Sequence, residues 1–264
     1  MAEVVVDAST GSLLYARQPD APRHPASLTK MMTLYLAFDA LADGRLRLGD
    51  TITVSQRAAG QPPSRLGVAP GASLSVRTAL QAIAVHSAND VAFALAERLA
   101  GSEGRFADLM NAKARGLGMA HTHFANATGL TNPGNVTTAR DMALLSVALL
   151  RRHPRDYAVF ATRSIRWGRR QLTNHNHLLG RVAGVDGIKT GYTVDAGYNL
   201  AASAKRRGRR IVAVVLDERS VTARDARVAN LVELGFSSPS AARGRPSAPT
   251  IAAGRAGRFR LEAL

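Results

Sequence analysis

Two short apolar runs open the chain, Val4-Val5-Val6 and Leu13-Leu14-Tyr15-Ala16, separated by Asp7-Ala8-Ser9-Thr10-Gly11. Apolar runs on either side of a Ser/Thr/Gly turn predict a β-hairpin. After Pro25 the period changes. Over residues 28–42, Leu28, Met31, Met32, Leu34, Tyr35, Leu36, Phe38 and Leu41 occupy most of a helical wheel, which predicts a helix buried on several sides. Helical spacing recurs over 76–86 (Val76, Leu80, Ile83), 89–100 (Val91, Phe93, Leu95, Leu99), 103–117 and 138–150. From about Arg181 the pattern returns to strands: 182–189 leading to Gly191, 197–204, and the almost unbroken β-branched run 211–216. Arg206-Arg207-Gly208-Arg209 reads as the turn between the last two. Residues 222–234 predict a closing helix, with Thr222 and Asp225 as a capping box and Gly235 as its C-cap. Strands at both ends around a helical middle indicate an α+β fold in which the N-terminal hairpin joins the late strands in one sheet.

Composition narrows the classes. At 264 residues and 46% hydrophobic, the chain can build one large domain or two small ones and is not disordered by default. No apolar run is long enough to cross a bilayer. Cysteine is absent, which excludes disulfides, thiol nucleophiles and Cys-ligated metal sites, and fits weakly with an oxidising compartment. A basic segment followed by an apolar stretch is missing at the start, so either the chain is cytosolic or a signal was removed before this numbering begins. The net charge of +16 points to anionic partners such as nucleic acid, anionic lipid or an acidic wall polymer. Neither zinc-finger spacing nor an RNA-binding aromatic pattern accompanies it, so nucleic acid is not the expected partner. Only four of the 35 basic side chains are lysines (Lys30, Lys113, Lys189, Lys205), and each is informative because burial can make a lysine, unlike an arginine, into a base. Residues 237–264 are rich in Ser, Ala, Pro, Gly and Arg and read as a mobile basic tail after a domain spanning 1–236.

Three motifs follow in order: Ser27-Leu28-Thr29-Lys30, Ser87-Ala88-Asn89 and Lys189-Thr190-Gly191. In a chain of this composition they arise by chance about 0.3, 0.6 and 0.02 times respectively, so only their ordered conjunction carries weight. The chemistry fits the spacing. Positions i and i+3 share a helical face, so the Ser27 hydroxyl and the Lys30 amine can meet. A serine needs a base to become a nucleophile, and apolar neighbours (Met31, Leu34) with a second positive charge nearby favour the neutral amine. The helix start offers the Ser27 N–H to a developing oxyanion. Ser87 and Asn89, at the start of a helix, can relay a proton and hold an amide. Lys189 and Thr190 offer a charge and a hydroxyl to a carboxylate, on a strand where Gly191 admits a ligand close to the backbone. Each has a plainer reading alone: Ser27 as an N-cap, Ser87–Asp90 as a capping cluster, Lys189 as a solvated strand residue. Taken jointly they favour a serine acyl-enzyme.

Around these motifs the sequence resembles the low-molecular-mass penicillin-binding proteins, the serine D-alanyl-D-alanine carboxypeptidases of peptidase family S11. The similar stretches are Val6-Asp7-Ala8 with Thr10-Gly11, Pro25 to Thr33, Ser87 to Asp90, Asn126-Ala127-Thr128-Gly129-Leu130, Val185 to Gly191, Ala196 to Leu200, and Arg224 running into Leu231 to Phe236. The resemblance implies an antiparallel sheet flanked by helices with a helical lobe, and an active site between them. It implies Ser27 as the acylated nucleophile, Lys30 as its base and Ser87 as a further catalytic group, with Asn89, Lys189, Thr190, Gly191, Tyr192 (through its N–H) and Arg224 holding the substrate. The implied reaction removes the last D-Ala from peptidoglycan stem pentapeptides without a metal or other cofactor, β-lactams trap the same serine, and the implied location is the periplasm or cell envelope. Relatives often carry a β-rich second domain and an amphipathic anchor where this chain has its basic tail, which leaves peripheral contact with a membrane or wall polymer as the tail's expected role. His175, placed where relatives often have a basic residue, reads as a surface histidine able to add pH sensitivity. An endopeptidase acting on cross-links, or a wall-binding protein with an idle site, would share the motifs. Fast β-lactam hydrolysis is disfavoured because no Glu-x-x-x-Asn loop is present.

Overall fold

A computed structural model describes residues 1–239; the basic tail expected over 237–264 lies almost wholly outside the described residues. The N-terminal hairpin forms as expected, β1 (Ala2–Asp7) pairing antiparallel with β2 (Leu13–Arg17). A 3₁₀ turn over Ala26–Leu28 runs into α1 (Thr29–Ala42), whose side chains are buried on nearly every side. The helical lobe follows: β3 (Thr51–Thr53), α2 (Gln56–Ala59), β4 (Ser73–Ser75), α3 (Val76–Gln81) continued by a π-helical turn to His86, α4 (Asn89–Ala100), α5 (Glu103–Gly116) and α6 (Ala139–Arg152). A small hairpin, β5 (Ser164–Trp167) with β6 (Arg170–Thr173), leads to β7 (Val185–Thr193), β8 (Gly197–Arg206) and β9 (Arg209–Glu218), and α7 (Val221–Ser237) closes the described chain.

The five long strands form one antiparallel sheet in the order β2-β1-β9-β8-β7, so the first strands complete the last, as the pattern requires. The unbroken apolar character of β9 has a simple cause: the sheet is covered on both faces. Ile211, Ala213 and Val215 pack with Val228, Leu231 and Val232 of α7, while Val212, Val214 and Leu216 belong to the larger core shared with α1, α4 and α6. Arg227 of α7 reaches the fully buried Glu3 of β1 with two 2.6 Å hydrogen bonds, and Tyr15 donates to the same carboxylate. This charge-assisted clamp fastens α7 to β1 of the sheet.

The closing helix departs from expectation at both ends. Ser220, and not Thr222, is the cap, accepting the N–H of Ala223. Gly235 lies within α7 and not at its end; a Cβ there would stand 2.6 Å from Ile211 Cγ2, so the glycine is required by close helix-on-sheet packing.

Candidate active site

The turn that carries Ser27 is held from three directions. Asn199 of β8 donates through Nδ2 to the carbonyls of His24 (2.9 Å) and Pro25 (3.1 Å) and accepts the Asp217 N–H through Oδ1, which pins the turn to the sheet. From the edge strand β7, Gly191 lies against it: a Cβ at 191 would sit 2.9 Å from the Pro25 carbonyl oxygen and 3.0 Å from Ser27 N. From the lobe side, Gly129 adopts φ +77° and a Cβ there would collide with the Ala26 carbonyl. Ala26 is itself left-handed (φ +47°), a conformation that costs a non-glycine residue free energy and persists only where surrounding contacts over-determine it.

Lys30, the second residue of α1, is fully buried. Its Nζ lies 2.9 Å from Ser27 Oγ and donates to the Thr128 carbonyl at 2.5 Å. That carbonyl is presented by Asn126-Ala127-Thr128-Gly129-Leu130, in which Asn126 Oδ1 accepts the N–H groups of Thr128 and Gly129 and Asn126 Nδ2 donates to the Leu130 carbonyl. Burial lowers the Lys30 amine well below its ordinary range, and the charge of Lys189 lowers it further. Lys189, 2% exposed on β7, is pushed down to about 7 by burial and then by Arg224. Its Nζ donates to the Thr190 carbonyl at 3.0 Å.

These lysines lie behind a cleft of about 480 Å³ whose lining includes Ser27, Ser87, Asn89, Thr190, Gly191, Tyr192 and Arg224. Seven of the nine residues singled out from sequence therefore line one cavity, and the other two, Lys30 and Lys189, are buried next to lining residues Ser27 and Thr190. Ser87 ends the π-helical turn in the left-handed region (φ +61°), with its Oγ buried and unpaired by any hydrogen bond. Asn89 lines the cleft and donates through Nδ2 to the Pro62 carbonyl (2.8 Å), which fastens the cleft's 62–64 rim. Arg224 directs Nε and Nη2 at Asp225 Oδ1 (2.9 and 2.6 Å), and Asp225 Oδ2 meets His177 Nδ1 at 3.1 Å. His175 is half-buried and lines the cleft; burial first, then Lys189 and its neighbours, push it down to about 4, which favours the neutral imidazole at pH 7. Tyr192 is 51% exposed at the rim and stacks on Tyr198 with ring centroids 4.3 Å apart.

The plainer readings fail here. Ser27 caps neither the 3₁₀ turn nor α1, and the cap position of α4 is Ala88, which has no capping side chain. Asp90 instead gathers the N–H groups of Leu66, Gly67 and Val68. Lys189 is buried, not solvated. Sequence reasoning missed the supports: Asn199, the Thr128 carbonyl, and the His177–Asp225 pair behind Arg224. The Asn-Ala-Thr-Gly stretch did carry a turn signal, since Asx side chains accept backbone N–H groups two and three residues on.

A family description for D-alanyl-D-alanine carboxypeptidases matches residues 1–220. The chain belongs to this family, peptidase S11. Among curated S11 relatives it is similar to the D-alanyl-D-alanine carboxypeptidase DacF of Bacillus subtilis, 37% identical over 242 residues, covering 89% of this chain and 61% of the relative. It is 36% identical over 240 residues to DacA of Escherichia coli, covering 88% of this chain and 60% of the relative. The chain thus spans about three-fifths of the length of these relatives. Among solved structures, the DacD carboxypeptidase of Francisella tularensis superposes with a TM-score of 0.87 at 33% identity, covering 89% of this chain and 70% of that one. Penicillin-binding protein D2 of Listeria monocytogenes, in its ampicillin-bound form, superposes with a TM-score of 0.77 at 33% identity, covering 89% and 96%. The S11 fold expected from the motifs is the fold observed.

Proposed function

We propose that the protein is a serine D-Ala-D-Ala carboxypeptidase that trims the terminal D-Ala from peptidoglycan stem pentapeptides and is acylated by β-lactams at the same hydroxyl. One observation carries the reading: Lys30 Nζ, stripped of solvent and facing a second lysine, stands 2.9 Å from Ser27 Oγ. A neutral amine at that distance is a base for the hydroxyl.

Ser27 Oγ attacks the carbonyl of the penultimate D-Ala while its proton passes to Lys30. The N–H groups of Ser27 and Tyr192 receive the oxyanion, an interaction that strengthens as charge develops. The C–N bond to the last residue then breaks, and its amine takes the proton from Lys30 by way of the unpaired Ser87 hydroxyl. Thr190, backed by Lys189 and Arg224, meets the departing residue's carboxylate, and Asn89, its Nδ2 anchored on the rim, holds a substrate amide. Water attacks the ester by the reverse sequence, with Lys30 again the base. The substrate class places the work at the cell envelope; no helix among the described residues is long and apolar enough to cross a membrane. The basic surface and the 237–264 tail are the parts suited to touching anionic membrane or wall polymer.

Intact-mass measurement after incubation with benzylpenicillin tests the reading. The expected result is a single covalent adduct on the Ser27 peptide and none in Ser27→Ala. Release of free D-Ala from a stem pentapeptide, with cross-linked dimers left uncut, separates it from an endopeptidase; absence of any adduct would leave a binding protein with an idle site.

A further inference from the structure

Two stretches of the chain are bare of acid. Neither 51–89 nor 157–185 contains an Asp or a Glu, while together they carry eight arginines. The stretches meet where Arg170 Nη1 donates to the Leu66 carbonyl at 3.4 Å. None of the eight arginines forms an ion pair among the described residues. Asp90, the first acid after 51–89, does not compensate: it is buried, and its carboxylate is taken up by the N–H groups of Leu66, Gly67 and Val68. The positive field reaches inward, since burial first and Arg170 next hold His86 below its ordinary range.

At this junction lies a groove of about 610 Å³, lined by Leu66, Gly67, Trp167, Gly168, Arg169 and Arg170. A two-residue turn, with Gly168 left-handed (φ +57°), puts Arg169 at the tip of the β5–β6 hairpin. Trp167 is half-buried and packed against the core, which fixes the indole in place. The groove and the catalytic cleft share one rim: Pro63 and Ser64 line the cleft, Leu66 and Gly67 the groove. A guanidinium pairs its planar fork with phosphate oxygens, and an indole covers the carbon skeleton between them. A concave channel of this kind fits a linear chain and not a flat membrane surface.

We propose that the groove is an exosite for a linear phosphodiester polymer of the cell wall, a chain of polyol or sugar phosphates, which holds the enzyme on the wall with its cleft beside the peptide substrate. The choice of a wall polymer rests on the carboxypeptidase reading; the exosite adds to that reading a second binding surface.

Trp167 is the chain's single tryptophan, so its emission reports on the groove. The full chain is titrated with poly(glycerol phosphate) at low and high salt. The expected result is a saturable change in emission, with an affinity that falls steeply as salt rises. Arg169→Gln weakens binding about threefold and makes the dependence of log K on log salt shallower by about one unit, and Arg169→Glu weakens binding about tenfold. Arg169 sits at an exposed turn, and unchanged thermal melting shows that these variants fold. Arg115→Glu, the same charge change at an exposed position on α5, binds like the wild type. No emission change, full affinity in Arg169→Glu, an equal loss in Arg115→Glu, or tighter binding to anionic vesicles or duplex DNA of equal phosphate content overturns the proposal. Benzylpenicillin labelling of Ser27 in the same preparation keeps the two readings apart. A labelled protein that fails to bind the polymer leaves the carboxypeptidase reading standing; an unlabelled one overturns that reading, and the choice of a wall polymer with it.

Discussion

Replacing Lys189 with methionine should stabilise the protein while disabling it. The amine is buried and pushed down to about 7 from an ordinary 10.5, by desolvation first and by Arg224 second. The unfolded chain therefore binds a proton that the folded chain gives up or holds at a penalty. Below pH 7 that penalty amounts to about 5 kcal/mol of folding free energy. Methionine has nearly the same length and nothing to desolvate, and it forfeits one hydrogen bond to the Thr190 carbonyl, about 1 kcal/mol. The net gain is about 4 kcal/mol, or about 10 °C in Tm for a domain of this size. The sign with pH is fixed. Because the folded-state value is depressed, the wild type loses stability as pH falls from 10.5 towards 7, and the penalty is constant below that. The advantage of Lys189→Met is therefore largest at pH 6 and vanishes by about pH 10.5. Urea unfolding followed by circular dichroism at both pH values measures it. A Lys189→Met protein less stable than wild type at pH 6, or equally displaced at both, would refute the claim that desolvation dominates this lysine.

Lys30→Arg places a guanidinium that cannot deprotonate beside Ser27, and β-lactam acylation measured by stopped flow is expected to fall about 10²–10⁴-fold. In the wild type the same rate is expected to reach its plateau well below pH 10.5, because burial and the charge of Lys189 lower the Lys30 amine; a rate still climbing tenfold per pH step near 10 would mean that Lys30 is charged when the enzyme works. Asp225→Asn removes the charge that aims Arg224, and is expected to lower kcat/KM for D-Ala release about tenfold, mainly through KM. Arg224→Ala in the Asp225→Asn background then adds little, because the two act as one unit.

The features legible in the sequence are those with a local cause. The run 211–216 declares a strand because both faces of the sheet are covered, and α1 declares a buried helix because apolar side chains surround it. Ser27, Lys30 and Lys189 stand out because lysines are scarce in this chain and two of the four fall in ordered motifs. Features that depend on distant partners did not show. The strands β3, β4, β5 and β6 are three or four residues long, too short to establish a period. Thr222 has the composition of a cap, but the chain's exit from β9 puts Ser220 in position first. Asn199 sits in an apolar strand where nothing local announces that its side chain spans to the Pro25 turn, and a backbone carbonyl such as that of Thr128 has no sequence signature at all.

Those unannounced contacts explain how so unfavourable a site persists. Two buried lysines, an unpaired Ser87 hydroxyl and left-handed backbone at Ala26 and Ser87 converge within one cleft, and each is destabilising in isolation. None could be held by the segment that carries it. Ser27 and Lys30 come from the 3₁₀ turn and the start of α1 that continues it, Ser87 from a π-helical turn, Lys189 from a sheet edge and Arg224 from α7, four pieces far apart along the chain. They meet because the sheet closes between its first and last strands, and because Asn199, Gly191 and Gly129 lock the nucleophile's turn from the sheet and lobe sides. The larger core runs up to the chemistry, with Leu28, Met31, Ala88 and Ile188 flanking Ser27, Lys30, Ser87 and Lys189. The same packing that strips the amines of solvent supplies the free energy that the cleft withholds.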